Sequence, residues 1–527
     1  MSTIAAYPLL AEADALAGEG KLEQAAQSTI AHLRQYPEEP RGLAQLGEIA
    51  MQLGALGQAE HFLRRAIARG ANDHAARRAL ASVLNQQNRL GEAEAAFQAL
   101  ESESDDPTLG AVRATILDKL GRNDEAMAIQ ERLAREHHGV PHYWIAYGHG
   151  LRHAGRVPEA IAAYRTAIAA DFECGEAWWG LASIKSRVLT GEDIDAMRRA
   201  IDVAIDVRNS APLQFALARA LHDGGRYEEA FAHYSEGNRQ RAESLKYDAR
   251  ELTGEVAEVE RSVDSAFMAR LGSGAVGEAT PIFIVCLPRS GSTLLEQMLG
   301  SHSQIEPVGE LPYIPAILRH AMEMATRRGR VTVPQLIAGL GADQASAMGR
   351  DYLRRAALHR KTDRPYFIDK LPHNWSNIPF IRRILPQACF IDIRRAPMDC
   401  CFSNFTQSFS SAHASSFALR DIGQCYVDYV RLMAHLDRVS PGLIHHLGYE
   451  WLIEDAEPHL RALLDHMGLP WDPHVLEFYR LDRVVRTPSS EQVRRPLNRD
   501  GVDVWKPYSE WLDPLRDVLG PLANGNA

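Results

Sequence analysis

The chain has 527 residues, 46% of them apolar and 24% charged, and a formal net charge of −10 at pH 7. That length exceeds what one hydrophobic core supports, so about two to four domains are expected. The composition is that of globular protein, and the negative charge argues against general nucleic-acid binding.

The six cysteines form no C-x-x-C pair and no metal-ligand spacing, and they read as reduced, buried thiols of a cytoplasmic protein. The first residues lack a basic start followed by an apolar core, so no signal peptide is expected. No apolar run is long enough to predict a membrane span.

Residues 8–240 repeat. A Gly or Asn opens a turn and an Ala follows five residues later: Gly20 and Ala25, Gly54 and Ala59, Asn88 and Ala93, Gly121 and Ala126, Gly155 and Ala160, Gly191 and Ala196, Gly225 and Ala230. The steps are 34, 34, 33, 34, 36 and 34 residues. Two antiparallel helices per step fit this period, with Gly or Asn at a positive-φ helix end and the small Ala at a close helix contact. The step of 36 predicts a local insertion near Val188–Gly191. Such a repeat array offers a concave surface for a protein partner, or serves only as a scaffold.

Residues 241–274 keep helical periodicity through Val256, Val259, Val263, Phe267 and Leu271, then break at Gly272-Ser273-Gly274. This predicts a helical connector and a second domain over residues 275–522. That domain opens with PIFIVCLPRSGSTLL, Pro281–Leu295. The β-branched run predicts a buried strand; the polar loop and the apolar spacing of Leu294, Leu295, Met298 and Leu299 predict a helix behind it. Strand, tight loop and helix make an anion cradle, in which Gly291 lets the backbone approach and the helix N-terminus faces the charge. The loop lacks the Lys of a nucleotide triphosphatase loop, since Ser292 stands in its place and the cation comes earlier, at Arg289.

Further strands are predicted at Tyr366–Ile368, Cys389–Ile393 and Leu443–Tyr449, alternating with helices, and a short extended piece precedes Val308-Gly309-Glu310. This pattern predicts a mostly parallel sheet with helices on both faces, and ligands outside the carboxyl ends of its strands. Glu310, Lys370, Arg395 and Tyr449 all fall at such ends. Arg395 and Ser403 stand eight residues apart, a spacing that lets both meet one phosphate.

These motifs resemble known proteins along nearly the whole chain. The 34-residue register resembles a tetratricopeptide array. Arg289-Ser290-Gly291-Ser292-Thr293 resembles the 5′-phosphosulfate loop of sulfotransferases, which use 3′-phosphoadenosine 5′-phosphosulfate (PAPS). The Arg395–Ser403 pair resembles their 3′-phosphate site, and TPSSEQVRRPLN, Thr487–Asn498, resembles the C-terminal nucleotide-contacting segment of tyrosylprotein sulfotransferases. The chain is therefore similar to bacterial proteins that join tetratricopeptide repeats to a sulfotransferase domain. It departs from them at Ala396, where Asp is usual, and at Ile378-Pro379-Phe380.

The resemblance implies an all-α repeat solenoid followed by an α/β, P-loop-like sulfotransferase domain. It implies PAPS as co-substrate, 3′,5′-adenosine diphosphate (PAP) as product, and no metal. Arg289, Ser290, Gly291, Ser292 and Thr293 would hold the 5′-phosphosulfate, and Arg395 and Ser403 the 3′-phosphate. Tyr449 would lie by the adenine, while Ser490, Gln492 and Arg495 close over the nucleotide. Glu310 would be the catalytic base, with His302 and His373 as the alternatives, and Lys370 would steady the leaving group. Peptidyl tyrosine, a sugar hydroxyl and a small alcohol all stay open as acceptors. An inactive repeat adaptor and a nucleotide-dependent kinase are the competing classes; the intact Arg289, Glu310, Lys370, Arg395 and Ser403 set disfavours the first, and the missing loop Lys the second.

Overall fold

The structure, a computed structural model, describes residues 7–71, 74–184, 187–204, 206–272, 274–326, 329–409, 411–481, 483–487 and 492–525. The chain forms two compact units, Met1–Leu133 with Ala316–Val331, and Ala134–Pro315 with Thr332–Ala527. The predicted repeat tract is thus shared between them.

The repeat register appears as helix pairs. In the first unit they include Pro8–Gly18 with Leu22–Gln35, Pro40–Gln52 with Leu56–Ala68, and His74–Gln86 with Leu90–Glu101. The turn residues take positive φ at Gly20 (76°), Gly54 (77°), Asn88 (54°), Gly121 (80°), Gly155 (79°) and Gly225 (74°). An L side chain resists that conformation, which explains Gly at all but one of these turns and Asn at the other. The register alanines Ala25, Ala59, Ala93, Ala160 and Ala230 are fully buried.

The sixth turn departs from the rest. Gly191 does not take positive φ; it is the first residue of helix Gly191–Val203, and Thr190 caps that helix in a reciprocal pair with Asp193. The preceding helix, Gly175–Ala182, is short, and the chain through 187–190 is irregular. This is where the longer step predicts an insertion, and Ala196 is only partly buried there.

In the second unit the connector forms helices Ala249–Ser262 and Ser265–Ala269. Ser273 of the predicted Gly/Ser break lies outside the described residues. Among the described residues five strands follow: β1 Thr280–Val285, β2 Ile305–Pro307, β3 Tyr366–Asp369, β4 Cys389–Arg394 and β5 Ile444–Gly448. All pairings are parallel, in the order β2-β3-β1-β4-β5. The extended piece before Glu310 is the edge strand β2.

Strand alternation sorts the two faces. Ile282, Ile284, Ile368, Ile391 and Ile393 pack with Leu295, Met298, Leu299, Leu452 and Leu460 in one cluster. Phe283, Phe367 and Phe390 join Tyr352 in an aromatic stack. Both faces are covered, as parallel sheets require. Central β1 has β3 on one side and β4 on the other, so the chain reverses direction across the sheet at β1. A crevice opens at such a point, above the strand ends.

Candidate active site

The β1 loop reaches this crevice with two left-handed residues, Arg289 at φ 68° and Gly291 at φ 93°. Helix Ser292–Gly300 starts directly after Gly291. A Cβ on Gly291 would lie 2.4 Å from Cδ2 of Tyr449, so both the backbone angle and the neighbouring ring require Gly. Arg395 ties the loop down: Nη1 donates to the carbonyl of Arg289 at 2.8 Å, and Nη2 donates to that of Gly501. Its guanidinium lies 5.5 Å from the Tyr449 ring centre.

A cavity of about 770 Å³ lies over these strand ends, walled by Arg289, Gly291, Ser292, Thr293, Glu310 and Lys370. Arg395, Ser403, Tyr449, Gln492 and Arg495 line the same cavity. Eleven of the sequence-predicted residues are thus gathered in one place. Ser490 lies outside the described residues. Ser290 is placed differently: its side chain is buried, with its hydroxyl 3.4 Å from Sγ of Cys400, and it does not line the cavity. Only its backbone is left for an anion.

The charge pattern is specific. Arg187, Arg219, Arg289, Lys370, Arg395, Arg486 and Arg495 line the cavity, against the carboxylates of Asp223, Glu310 and Asp500. In a chain of net charge −10, this wall carries a local excess of cations. Burial, then the charge of Arg395, pushes the Arg289 guanidinium down to about 10. Arg395 is 5% exposed, and its Nε has no hydrogen-bond partner. Such a site is built for an anion.

Lys370 is 1% exposed and its ammonium bonds Oε1 of Glu310, whose side chain is 45% exposed. Burial alone would lower the Lys370 pKa, but the carboxylates of Glu310 and Glu296 outweigh it and hold it above the ordinary value. Glu296, on the loop helix, accepts from the backbone N–H of Gly309 at 3.1 Å and pairs with Arg483 at 2.8 Å. It links the loop, the Glu310 turn and the C-terminal segment, and sequence reasoning missed it. The helical spacing around it marks only a core face; nothing local points to Arg483.

The alternative bases fare differently. His302 is fully buried, with Nε2 donating to the Pro470 carbonyl at 2.9 Å and Nδ1 accepting from Gln304 N–H at 3.0 Å. Both nitrogens are used, and it does not line the cavity. Burial, then neighbouring His413, pushes the His373 imidazole down to about 3, and it too is absent from the wall. His413, which was not foreseen, does line the wall, its ring 4.8 Å from that of His373. Among the described residues, no group of three or more His, Cys, Asp or Glu is placed to hold a metal.

Helical repeats, a parallel sheet and a left-handed β1 loop that leads into a helix outline the class. Residues 281–473 match the sulfotransferase family, and residues 8–171 match the tetratricopeptide repeat. The chain thus joins tetratricopeptide repeats to a sulfotransferase-family domain. An uncharacterized protein of Aquifex aeolicus is 32% identical over 63% of this chain, but the match spans only 44% of that relative. Protein-tyrosine sulfotransferase 1 of Danio rerio is 26% identical over 46% of this chain and 70% of its own length. Among solved structures, the sulfotransferase domain from the Synechococcus PCC 7002 olefin synthase is 22% identical, covering 44% of this chain and 90% of its own, at a TM-score of 0.31.

Proposed function

We propose that the second unit transfers a sulfuryl group from PAPS to a hydroxyl acceptor. The observation that carries this reading is the convergence of the Arg289–Thr293 loop, the Lys370–Glu310 pair and the Arg395–Ser403 pair on one cation-rich cavity. The wall fits the donor's two anions: a left-handed loop at a helix N-terminus for the 5′ side, and Arg395, with its unpartnered Nε, for the 3′ side. PAPS would supply the sulfuryl group as a mixed anhydride with its 5′-phosphate.

The chain's own residues then act by position and charge. Loop N–H groups and the hydroxyls of Ser292 and Thr293 orient the 5′ anion. Lys370, held charged by its carboxylate neighbours, faces the oxygen that gains negative charge. Lys370 occupies Oε1 of Glu310, which assigns Oε2 as the proton acceptor. As the acceptor oxygen bonds sulfur, its proton passes to Glu310, the bond from sulfur to the phosphate oxygen breaks, and PAP is left.

The acceptor in this reading is the phenolic hydroxyl of a polypeptide tyrosine. The similarity to protein-tyrosine sulfotransferases supports it. So does the cavity wall that Trp179, Ser183 and Tyr234 contribute from the repeat tract, which suits an extended chain. A thermal-shift comparison of PAP with ATP–magnesium tests the donor, and labelled-sulfate transfer from PAPS into a cell extract identifies the product. A shift with PAP alone supports the reading; no shift with PAP sinks it.

A further inference from the structure

The cavity has an arginine that the sulfotransferase-family segment does not supply. Arg219 lies on helix Val207–Asp223 of the last repeat and lines the cavity. One turn on, Nδ1 of His222 shares a 2.7 Å hydrogen bond with Oη of Tyr508, and the two rings stack at 5.8 Å. Tyr508 packs on Phe402 at 4.6 Å, and Phe402 precedes Ser403. Phe231 on the next repeat helix stacks on Trp511 at 5.4 Å, and Asn238 bonds the Phe405 carbonyl at 2.8 Å. The repeat is therefore fixed against the helix that carries Ser403.

Ser403 in turn accepts from Nε of Arg289 at 3.3 Å, and Arg395 holds the Arg289 carbonyl. Arg219 lines the same cavity as this Arg289–Arg395 pair. Asp223 offsets Arg219, at 3.1 Å, and Asp399 stands 3.9 Å from Arg395. Like charges gathered away from bulk water are costly unless an anion joins them. Burial first, then the charge of Arg395 and, after it, that of Arg219 depress the basicity of Arg289.

We propose that Arg219 is a third arginine of the donor's 3′-phosphate site, contributed by the helical repeats. The ligand class is a dianionic phosphate monoester on a nucleotide ribose, and the proposal rests on the sulfotransferase reading above. Arg219 shares its guanidinium between that phosphate and Asp223. Donor binding then needs the last repeat in place.

The test measures the affinity of PAP and of adenosine 5′-phosphate, which lacks the 3′-phosphate, by calorimetry on the full chain. Arg219→Gln is expected to weaken PAP about 10- to 100-fold, as for loss of a charge-assisted contact, and to leave adenosine 5′-phosphate within about twofold. Asp223→Asn, which removes the competing anion, is expected to tighten PAP about threefold or more. An unchanged preference of Arg219→Gln for PAP, or equal weakening of both nucleotides, overturns the proposal. Should Arg219→Gln not fold by circular dichroism, Asp223→Asn decides: tighter PAP supports the proposal, and unchanged or weaker PAP overturns it. A wild-type chain that binds no PAP overturns the sulfotransferase reading as well, and is told apart from the other failures by that result alone.

Discussion

The repeats of the first unit and the last repeats of the second share one architecture and differ in what they do. Both use the same turn, a Gly or Asn at positive φ, and at four of these turns an Arg follows whose guanidinium pairs with a Glu three residues on. Arg89–Glu92 and Arg122–Glu125 are matched by Arg156–Glu159 and Arg226–Glu229. Around Ala50, Leu56, Ala59, Leu63, Ala79 and Val83 the first unit makes a plain aliphatic core. In the last repeats, Trp179, Arg219, His222 and Tyr234 reach the cavity wall instead. The position six residues before each turn carries Asp14, Glu48, Ser82 and Thr115 early in the chain, then His149 and Arg219. A repeat period fixes stacking and leaves such positions free to vary, and of these two Arg219 lines the cavity.

The sharpest way to break the comparison is at the chemistry. Glu310→Gln should cut sulfuryl transfer about 10²–10⁴-fold, the usual cost of a lost general base, with PAP affinity nearly unchanged. Near-normal turnover would remove Glu310 as the base and turn attention to His413. Arg395→Ala comes next. It should weaken PAP by about 1.5–3 kcal/mol, and adenosine 5′-phosphosulfate by much less. Because Arg395 also pins the Arg289 and Gly501 carbonyls, equal loss for both ligands would assign it to holding the loop.

A substitution in the first unit sharpens the contrast from the other side. A Cβ on Gly47 would sit 2.6 Å from Cγ of Leu63, so Gly47→Ala overpacks a repeat contact that does not face the cavity. A loss of about 1–3 kcal/mol and a fall of a few degrees in Tm are expected, with PAP affinity intact. A large change in PAP affinity would mean that both sets of repeats serve the donor site.

The smallest effect is expected on the edge strand β5, at His446. Its ring bonds Asp392 at 2.8 Å and Asp437 at 2.9 Å, while Arg394 and Tyr429 also bond Asp392. Burial alone would lower its pKa, but the two carboxylates raise it above the ordinary value. A raised folded pKa gives stability that is full below the unfolded pKa of about 6.5 and fades as pH rises through the folded value. His446→Gln should therefore lower Tm more at pH 6 than at pH 9. An equal loss at both would show that His446 contributes packing rather than charge.

Much of this was legible in the chain itself, because it is local. The 34-residue register is a matter of turn conformation and close helix packing, and even its flaw at Gly191 shows as a longer step. Strand β1, its loop and its helix follow from an apolar run, a Pro, a Gly and helical spacing. That Arg395 and Ser403 line one cavity could be expected from their spacing, because one turn joins strand to helix.

Tertiary structure decided the rest, where partners lie far apart in sequence. Gly291 is needed as much for the Tyr449 ring as for its own φ. Glu296 meets Arg483 across 187 residues, and the inward turn of Ser290 depends on Cys400. Arg219 joins the cavity because His222 and Phe231 dock on Tyr508 and Trp511. Pattern and spacing state what a segment prefers to be. Which segments meet is settled by the strand order β2-β3-β1-β4-β5 and by the burial of apolar faces, and those are properties of the whole chain.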